Sequence, residues 1–398
     1  MADIKSYLKE KEKRDQRQES YKDKIRKHKF SYFSRIILIL LVIGALGALV
    51  IIQYRRQIYT SYEVVSSTTR IAASEAKEIR LGNSILTYSK DGANCMDLKG
   101  NVAWNQTYEI QDILLSVCQN VAAIADYNGR NVYIQNEAGQ LGAFTTNMPI
   151  RSISVAANGK SAVVMADTDV TWINIYNADG KALYEAKSSM QNSGYPACVS
   201  LSPNGELMAV SYLYLDAGVQ KTNIAFYNFG PVGDNNNDNL MSGYTYSDIF
   251  VPYIQYMNDD TVFAVGDSRL MIYSGSQKPE LKAEFLYDNE VRSVYYSSKY
   301  IGLVFYSDDI KSRYRLDVYD SGAQFTGSYY FDLDYTDIFL GQDSFTIYND
   351  SECMIITADG IEKYRGSFNK TVRLMIPTGF AYKYLLVTNE TLDTIQLK

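Results

Sequence analysis

The chain has 398 residues, 46% of them apolar and 21% charged, with a net charge of −6, one His, four Cys and 35 Tyr. These fractions exclude a disordered chain, and four Cys at this length exclude a fold built on disulfides. The single His is residue 28, so everything after it lacks His-based catalysis and His ligation of a metal.

Residues 1–35 carry 12 basic and 6 acidic residues, a local charge of +6. They are polar on all sides and rich in helix formers, with Glu10 and Arg14, and Asp23 and Lys27, four apart in the acid-first order. This is a solvated, partly helical arm. Its cluster Lys22, Lys24, Arg26, Lys27 and Lys29 suits an anionic lipid surface.

Ile36–Ile52 follows, seventeen residues without a charged or strongly polar group. As a helix it would extend about 26 Å, near the minimum for a hydrocarbon core. Phe30, Tyr32, Phe33 and Tyr54 flank it as interfacial rings do. A cleaved signal peptide has a shorter basic lead and a small-residue cleavage site, whereas Gln-Tyr-Arg-Arg follows Ile52. A buried soluble helix is rarely apolar on all sides for so long. Residues 36–54 therefore read as an uncleaved single-pass span with the lipid bilayer as partner. The basic excess places the N-terminus in the cytoplasm and the C-terminal part outside the cell membrane. Gly44 and Ala48 form a small-xxx-small pair, a candidate dimer contact of the span.

Residues 55–78 read as a linker holding one strand-like segment, Tyr62–Thr69. From residue 79 to 398 the chain is a series of short Val-, Ile-, Tyr- and Thr-rich runs broken by Gly, Asn and Asp turns. Similar openings recur near Ile79, Ile113, Ile153, Cys198, Ile254, Val294, Ile338 and Ile376, at intervals of 34 to 56 residues. The likeness is clearest between the stretches beginning Ser154-Val-Ala-Ala-Asn-Gly and Ser200-Leu-Ser-Pro-Asn-Gly. Four antiparallel strands in about 40 residues is the mark of a propeller blade. The expected fold is all-β, a seven- or eight-bladed β-propeller after one transmembrane helix, with eight blades favoured. The unit opening at Ile376 has room for only three strands, and Tyr62–Thr69 would supply the fourth and remove the open edge. A β-sandwich would leave the period unexplained.

The stretch Ser202–Ser211, Ser-Pro-Asn-Gly-Glu-Leu-Met-Ala-Val-Ser, resembles the blade signature of WD40-like and quinoprotein-like propellers. The order of basic tail, span and propeller is similar to a family of uncharacterised single-pass membrane proteins from Gram-positive bacteria, which carries no assigned activity. No blade ends in Trp-Asp, and two Trp are too few for the docking motifs of quinone-binding propellers, so no cofactor is expected.

Candidate chemistry is sparse. Cys95, Cys118, Cys198 and Cys353 lack metal-ligand spacing and read as buried thiols, with a Cys95–Cys118 disulfide as the alternative. Asp234, Asn236 and Asp238 alternate as calcium ligands do, but Asn239 and Thr245 stand where a turn Gly and a bidentate Glu belong, so a plain Asn-rich loop is favoured. Asp332, Asp334 and Asp337, or Asp308 and Asp309, offer carboxylates without selecting a pair. There is no phosphate loop, no dinucleotide fingerprint and no basic patch for nucleic acid in the outer part. Tyr is abundant, with clusters at Tyr295, Tyr296, Tyr300 and Tyr306 and at Tyr329, Tyr330 and Tyr335, which suits strands. The longest inter-blade segment, about 230–248, with Tyr244, Tyr246, Tyr253 and Tyr256 in or after it, is the candidate binding surface. The expected function is a non-enzymatic, membrane-tethered scaffold for protein or cell-envelope glycan. A His-independent envelope hydrolase or lyase, or a single-pass receptor, is the alternative.

Overall fold

The computed structural model describes residues 2–71, 75–167, 170–188, 194–235, 237–247 and 249–398. The chain forms two compact units, Met1–Ile58 and Tyr59–Lys398. The first is one α-helix, Ala2–Arg56, so the basic arm is helical throughout. Leu38, Leu41 and Ile43 stand exposed on it, and the helix is long and apolar enough to cross a membrane.

The second unit is an eight-bladed propeller of four-stranded antiparallel sheets. Blades 1 to 7 comprise residues 77–107, 113–145, 150–188, 195–246, 253–286, 293–331 and 337–367, each using its four strands in chain order. Blade 8 takes three strands from 372–397 and its fourth from Tyr62–Thr69, which pairs antiparallel with Thr391–Leu397. Within each blade the strands are labelled A to D in sheet order. The A strands lie innermost, since those of neighbouring blades contact one another, including Lys77–Leu81 with Val372–Pro377 across the closure. All eight openings expected from the sequence fall in A strands.

The sequence logic of a blade is visible in its burial. Strand B is buried at nearly every position, as in Ser161–Ala166, because both of its faces meet a neighbouring blade, whereas strand C mixes buried with half-buried or exposed positions, as in Asn131–Asn136. Strand D alternates exposed and half-buried residues, as in Ala182–Ser188, because one face meets solvent. Among the described residues the apolar core divides into eight clusters, each shared by two consecutive blades. The four cysteines sit in this framework as free thiols, so Cys95 and Cys118 are not bridged.

Three details recur between blades, the first in all eight and the others in neighbouring blades among blades 2 to 5. Every blade has a register shift between strands C and D, from Cys95/Met96 in blade 1 to Val64/Ser66 in blade 8. Bulges of this kind twist an outer strand away from further pairing. Secondly, an A-strand serine latches successive blades: Ser116 Oγ accepts from Val155 N at 3.0 Å, Ser154 Oγ from Leu201 N at 2.9 Å, and Ser200 Oγ from Tyr256 N at 2.9 Å. Ser154 and Ser200 are the residues that open the two like stretches in the sequence. Thirdly, the Asn-Gly turns of those stretches place Gly159 and Gly205 at φ of 82° and 68°, which favours Gly. Asn158 Nδ2 donates to Asn204 O at 2.7 Å, linking the two turns.

The closure differs from the other interfaces. Among the described residues its apolar cluster is the smallest, with seven buried residues against thirteen between blades 6 and 7, and a group of largely buried charges lies beside it. Arg70, just after the closing strand, pairs with Glu78 on strand A of blade 1. Arg373, on strand A of blade 8, lies 3.8 Å from the same carboxylate, bonds the Ala76 carbonyl and donates to Asn389 Oδ1 at 3.1 Å. The side chains of Glu78, Arg70 and Arg373 are only 1%, 6% and 17% exposed.

The D-to-A and B-to-C connections lie at one end of the ring and the A-to-B and C-to-D connections at the other. The chain enters at the second end. Tyr59 N donates to Lys363 O at 2.7 Å, and Thr60 N and Ser61 N donate to Lys398 O at 3.0 and 3.2 Å.

Candidate functional site

The segment around 230–248 is less of an insertion than its length suggests. Leu240–Tyr246 is strand D of blade 4, and only the turn before it, with the short 3-10 segments Gly233–Asn235 and Asn237–Asn239, is extra. Asn236 and Asp248 lie outside the described residues. Asp234 is on the first 3-10 segment, and Asp238, at φ 56°, uses its carbonyl to accept from Tyr184 Oη at 3.2 Å. Among the described residues no three His, Cys, Asp or Glu side chains are grouped as metal ligands.

Of the tyrosines selected there, Tyr244 and Tyr246 turn toward blade 5, and Tyr253 and Tyr256 belong to its strand A. Tyr244 packs on Phe226 and Tyr273, with centroids 6.2 and 5.2 Å apart, and its Oη accepts from Leu281 N at 3.1 Å. Tyr246 Oη bonds Tyr273 Oη at 2.8 Å. Tyr256 is buried, and burial raises its pKa. Tyr253 is half-buried on an A strand, with its ring 5.8 Å from Phe263. Three of the four rings thus work between blades 4 and 5. In the helix, a Cβ at Gly44 would meet nothing within 4 Å, and the side chain of Ala48 lies outside the described residues.

The D-to-A/B-to-C end carries a different tyrosine cluster, on blades 6 and 7. Strand B of blade 6 ends at Tyr306, 50% exposed, and strand C begins at Tyr314; the two are directly paired and their rings stack at 5.8 Å. The Arg292 guanidinium covers the Tyr306 ring at 4.5 Å. Tyr314 also meets buried Phe331 at 5.3 Å and Tyr335 edge-on at 5.1 Å. Its hydroxyl donates to Asp334 Oδ1 at 3.0 Å, and Arg313 pairs with the same carboxylate. Tyr335 continues the shelf to Tyr295 at 6.2 Å and bonds Ser293 Oγ at 2.6 Å. Ile310, on the loop joining strands B and C of blade 6, is fully exposed beside this group.

Asp337 closes the inner end of the shelf, at the start of strand A of blade 7. It accepts from Ile338 N at 2.8 Å and from Tyr348 Oη at 3.2 Å. Burial still pushes its carboxyl above the usual range, against the pull of those two donors. Burial, and then the charge of Asp337, raise Tyr295 in turn. By contrast the Arg313 bond holds Asp334 below the ordinary carboxylate range. The shelf therefore offers three kinds of group: aromatic faces, an exposed cation and anion, and an inner carboxyl that retains its proton more readily than usual.

Residues 54–397 match the family of unknown function DUF5711. The chain belongs to that family. No curated protein matches it in sequence. Among solved structures, this DUF5711 propeller is similar to BamB from Moraxella catarrhalis, with 10% identity and a TM-score of 0.50, covering 85% of this chain and all of that one. Sqt1 from Chaetomium thermophilum is similar at 11% identity and a TM-score of 0.52, covering 84% and 98%. A eukaryotic initiation factor is similar at 10% identity and a TM-score of 0.50, covering 80% and 82%. At such identities the likeness is one of fold.

Tyr295, Tyr306 and Tyr335 stand in the sequence clusters that suited strands. What the sequence lacked was a reason to separate them from Tyr300 and Tyr329, which are buried. One cue was available. Tyr306 and Tyr314 bracket a Ser-Asp-Asp-Ile-Lys-Ser-Arg turn, so two rings at the ends of one hairpin loop lie side by side.

Proposed function

We propose that the DUF5711 propeller is a non-catalytic interaction scaffold, held outside the cell membrane by residues 36–54, that binds a protein partner through the blade 6–7 shelf. The observation that carries this reading is the layered Arg292–Tyr306–Tyr314 stack on one end of a rigid ring. Tyr and Arg dominate the energetics of protein interfaces, because they bring large contact area together with directed polar groups. The rings here are held in place by their neighbours, so binding would lose little side-chain freedom. The His-free propeller sequence supports a role without His catalysis, and the exposed apolar helix supports a tether.

The test is photo-crosslinking of the full chain in its native membranes, with wild type compared to Tyr306→Ala and Arg292→Ala. Each variant should lower the crosslinked partner at least tenfold, while Tyr244→Ala, if folded, retains it. Unchanged crosslinking in both shelf variants would refute the assignment. Loss of binding after glycosidase treatment of the partner fraction would point instead to an envelope glycan.

A further inference from the structure

The loop between strands A and B of blade 8, Thr378–Tyr382, is built to hold a phenylalanine out of the fold. Thr378 N and Oγ1 both donate to Lys383 O, at 3.0 and 2.8 Å, and Phe380 N donates to Thr378 Oγ1 at 3.3 Å. Tyr382 sits at φ 53°, and its carbonyl accepts from Leu397 N at 3.0 Å. With its backbone fixed in this way, Phe380 remains 72% exposed. The Lys383 ammonium lies 5.4 Å from the Phe380 ring. Val64 and Val65, at the start of the closing strand, are exposed on the same blade.

This loop is also where the chain enters the ring, since Tyr59 and Tyr382 are in ring contact at 4.7 Å. Covalent geometry limits how far that point can be from the apolar run ending at Ile52. Gln53–Arg56 is helical and rises about 6 Å. Three further Cα steps of about 3.8 Å reach Tyr59. Tyr59 therefore stands no more than about 17 Å beyond the hydrocarbon edge, of which headgroups occupy about 5–7 Å. An aromatic ring next to a lysine at this height has the chemistry of an interfacial anchor.

We propose that the blade 8 loop is a second membrane contact: Phe380 inserts at the headgroup–acyl boundary of the bilayer that residues 36–54 cross, with Lys383 at the phosphate level. This rests on the reading of residues 36–54 as a span.

The full chain in proteoliposomes provides the test, with Phe380→Trp as reporter and Tyr330→Trp, on strand D of blade 6, as control. Wild-type emission from Trp104 and Trp172 is subtracted. In vesicles with brominated acyl chains the indole emission added by Phe380→Trp should fall at least twofold, and that added by Tyr330→Trp should not. Ala381→Trp on the same loop gives an independent second position with the same expected result. Retention of the chain after alkaline carbonate without quenching at 380 or 381 overturns the anchor alone, as does equal quenching at 330. Release of the chain by carbonate overturns the span and the anchor together.

Discussion

Glu78 is the residue whose loss should open the ring. Its carboxylate is almost wholly removed from water and sits between Arg70 and Arg373, the first following the closing strand and the second on the blade that strand completes. In Glu78→Ala two largely buried guanidinium groups lose their counter-charge. Removing one partner of a buried ion pair costs about 3–5 kcal/mol, a large part of the roughly 5–15 kcal/mol that separates folded from unfolded domains. Glu78→Gln, which retains an acceptor oxygen and the side-chain shape, should fall at the lower end. The assay is guanidinium denaturation of the full chain in detergent, with amide exchange to locate the effect. Exchange should accelerate first in Tyr62–Thr69 and Thr391–Leu397. Asp334→Asn, which removes an exposed partner of Arg313, should leave the midpoint unchanged. A Glu78→Ala midpoint no lower than that of Asp334→Asn, or faster exchange spread evenly over all blades, would refute the reasoning.

Other expectations can be checked on the same material. Ser200→Ala leaves the Tyr256 amide without its acceptor and should cost about 1–3 kcal/mol by denaturation, with little change in the fold. Asp337 and Asp393 should show opposite pH dependence. Burial raises Asp337, so its favourable contribution exists below the unfolded pKa and is lost as pH rises through the folded one; Asp337→Asn should therefore stabilise at pH 7 and have little effect near pH 3. For Asp393 burial acts upward, but bonds from Lys370, Ser67 and Thr391 outweigh it and hold the carboxyl low. Asp393→Asn should destabilise at pH 7 and converge on wild type as pH falls through the folded pKa, a comparison of denaturation midpoints across pH. Burial also pushes Cys118 up to about 11 and Cys353 up to about 12, so neither should alkylate at pH 8 in the native chain, by mass spectrometry, until denaturant is added.

Much of the fold was legible because a blade is a local object. The Ser154 and Ser200 stretches repeat a strand, an Asn-Gly turn and a strand within a dozen residues, and the same serines prove to be the latches between blades. The three-strand shortfall after Ile376 called for a fourth strand, and the β-branched segment Tyr62–Thr69 between the apolar run and blade 1 supplied it. The proposed shelf was harder to read, for a physical reason. Whether a strand tyrosine faces solvent or a neighbouring blade depends on which of two alternate faces it occupies, and that is set by tertiary packing. Tyr244 and Tyr246 share a face that meets Tyr273, whereas Tyr306 and Tyr314 pair at the end of the B–C ladder, beyond the Ser293–Val304 pair where strand A begins. The closure cluster was equally out of reach, since Glu78 and Arg373 are brought together only when the ring is complete.

The strand that completes the ring is also the first part of the propeller after the helix, and this gives the molecule a mechanical polarity. Any force between residues 1–58 and the propeller enters at Tyr59 and passes at once to the bonds with Lys363 and Lys398, then to the Tyr62–Leu397 end of the closing pair. Loaded at that end, the strand would part from its neighbour one residue pair at a time, and the Arg70–Glu78 contact stands at the far end of the peel. A pull on the tether would thus load the closing strand pair of blade 8 before it reached the contacts between blades 8 and 1.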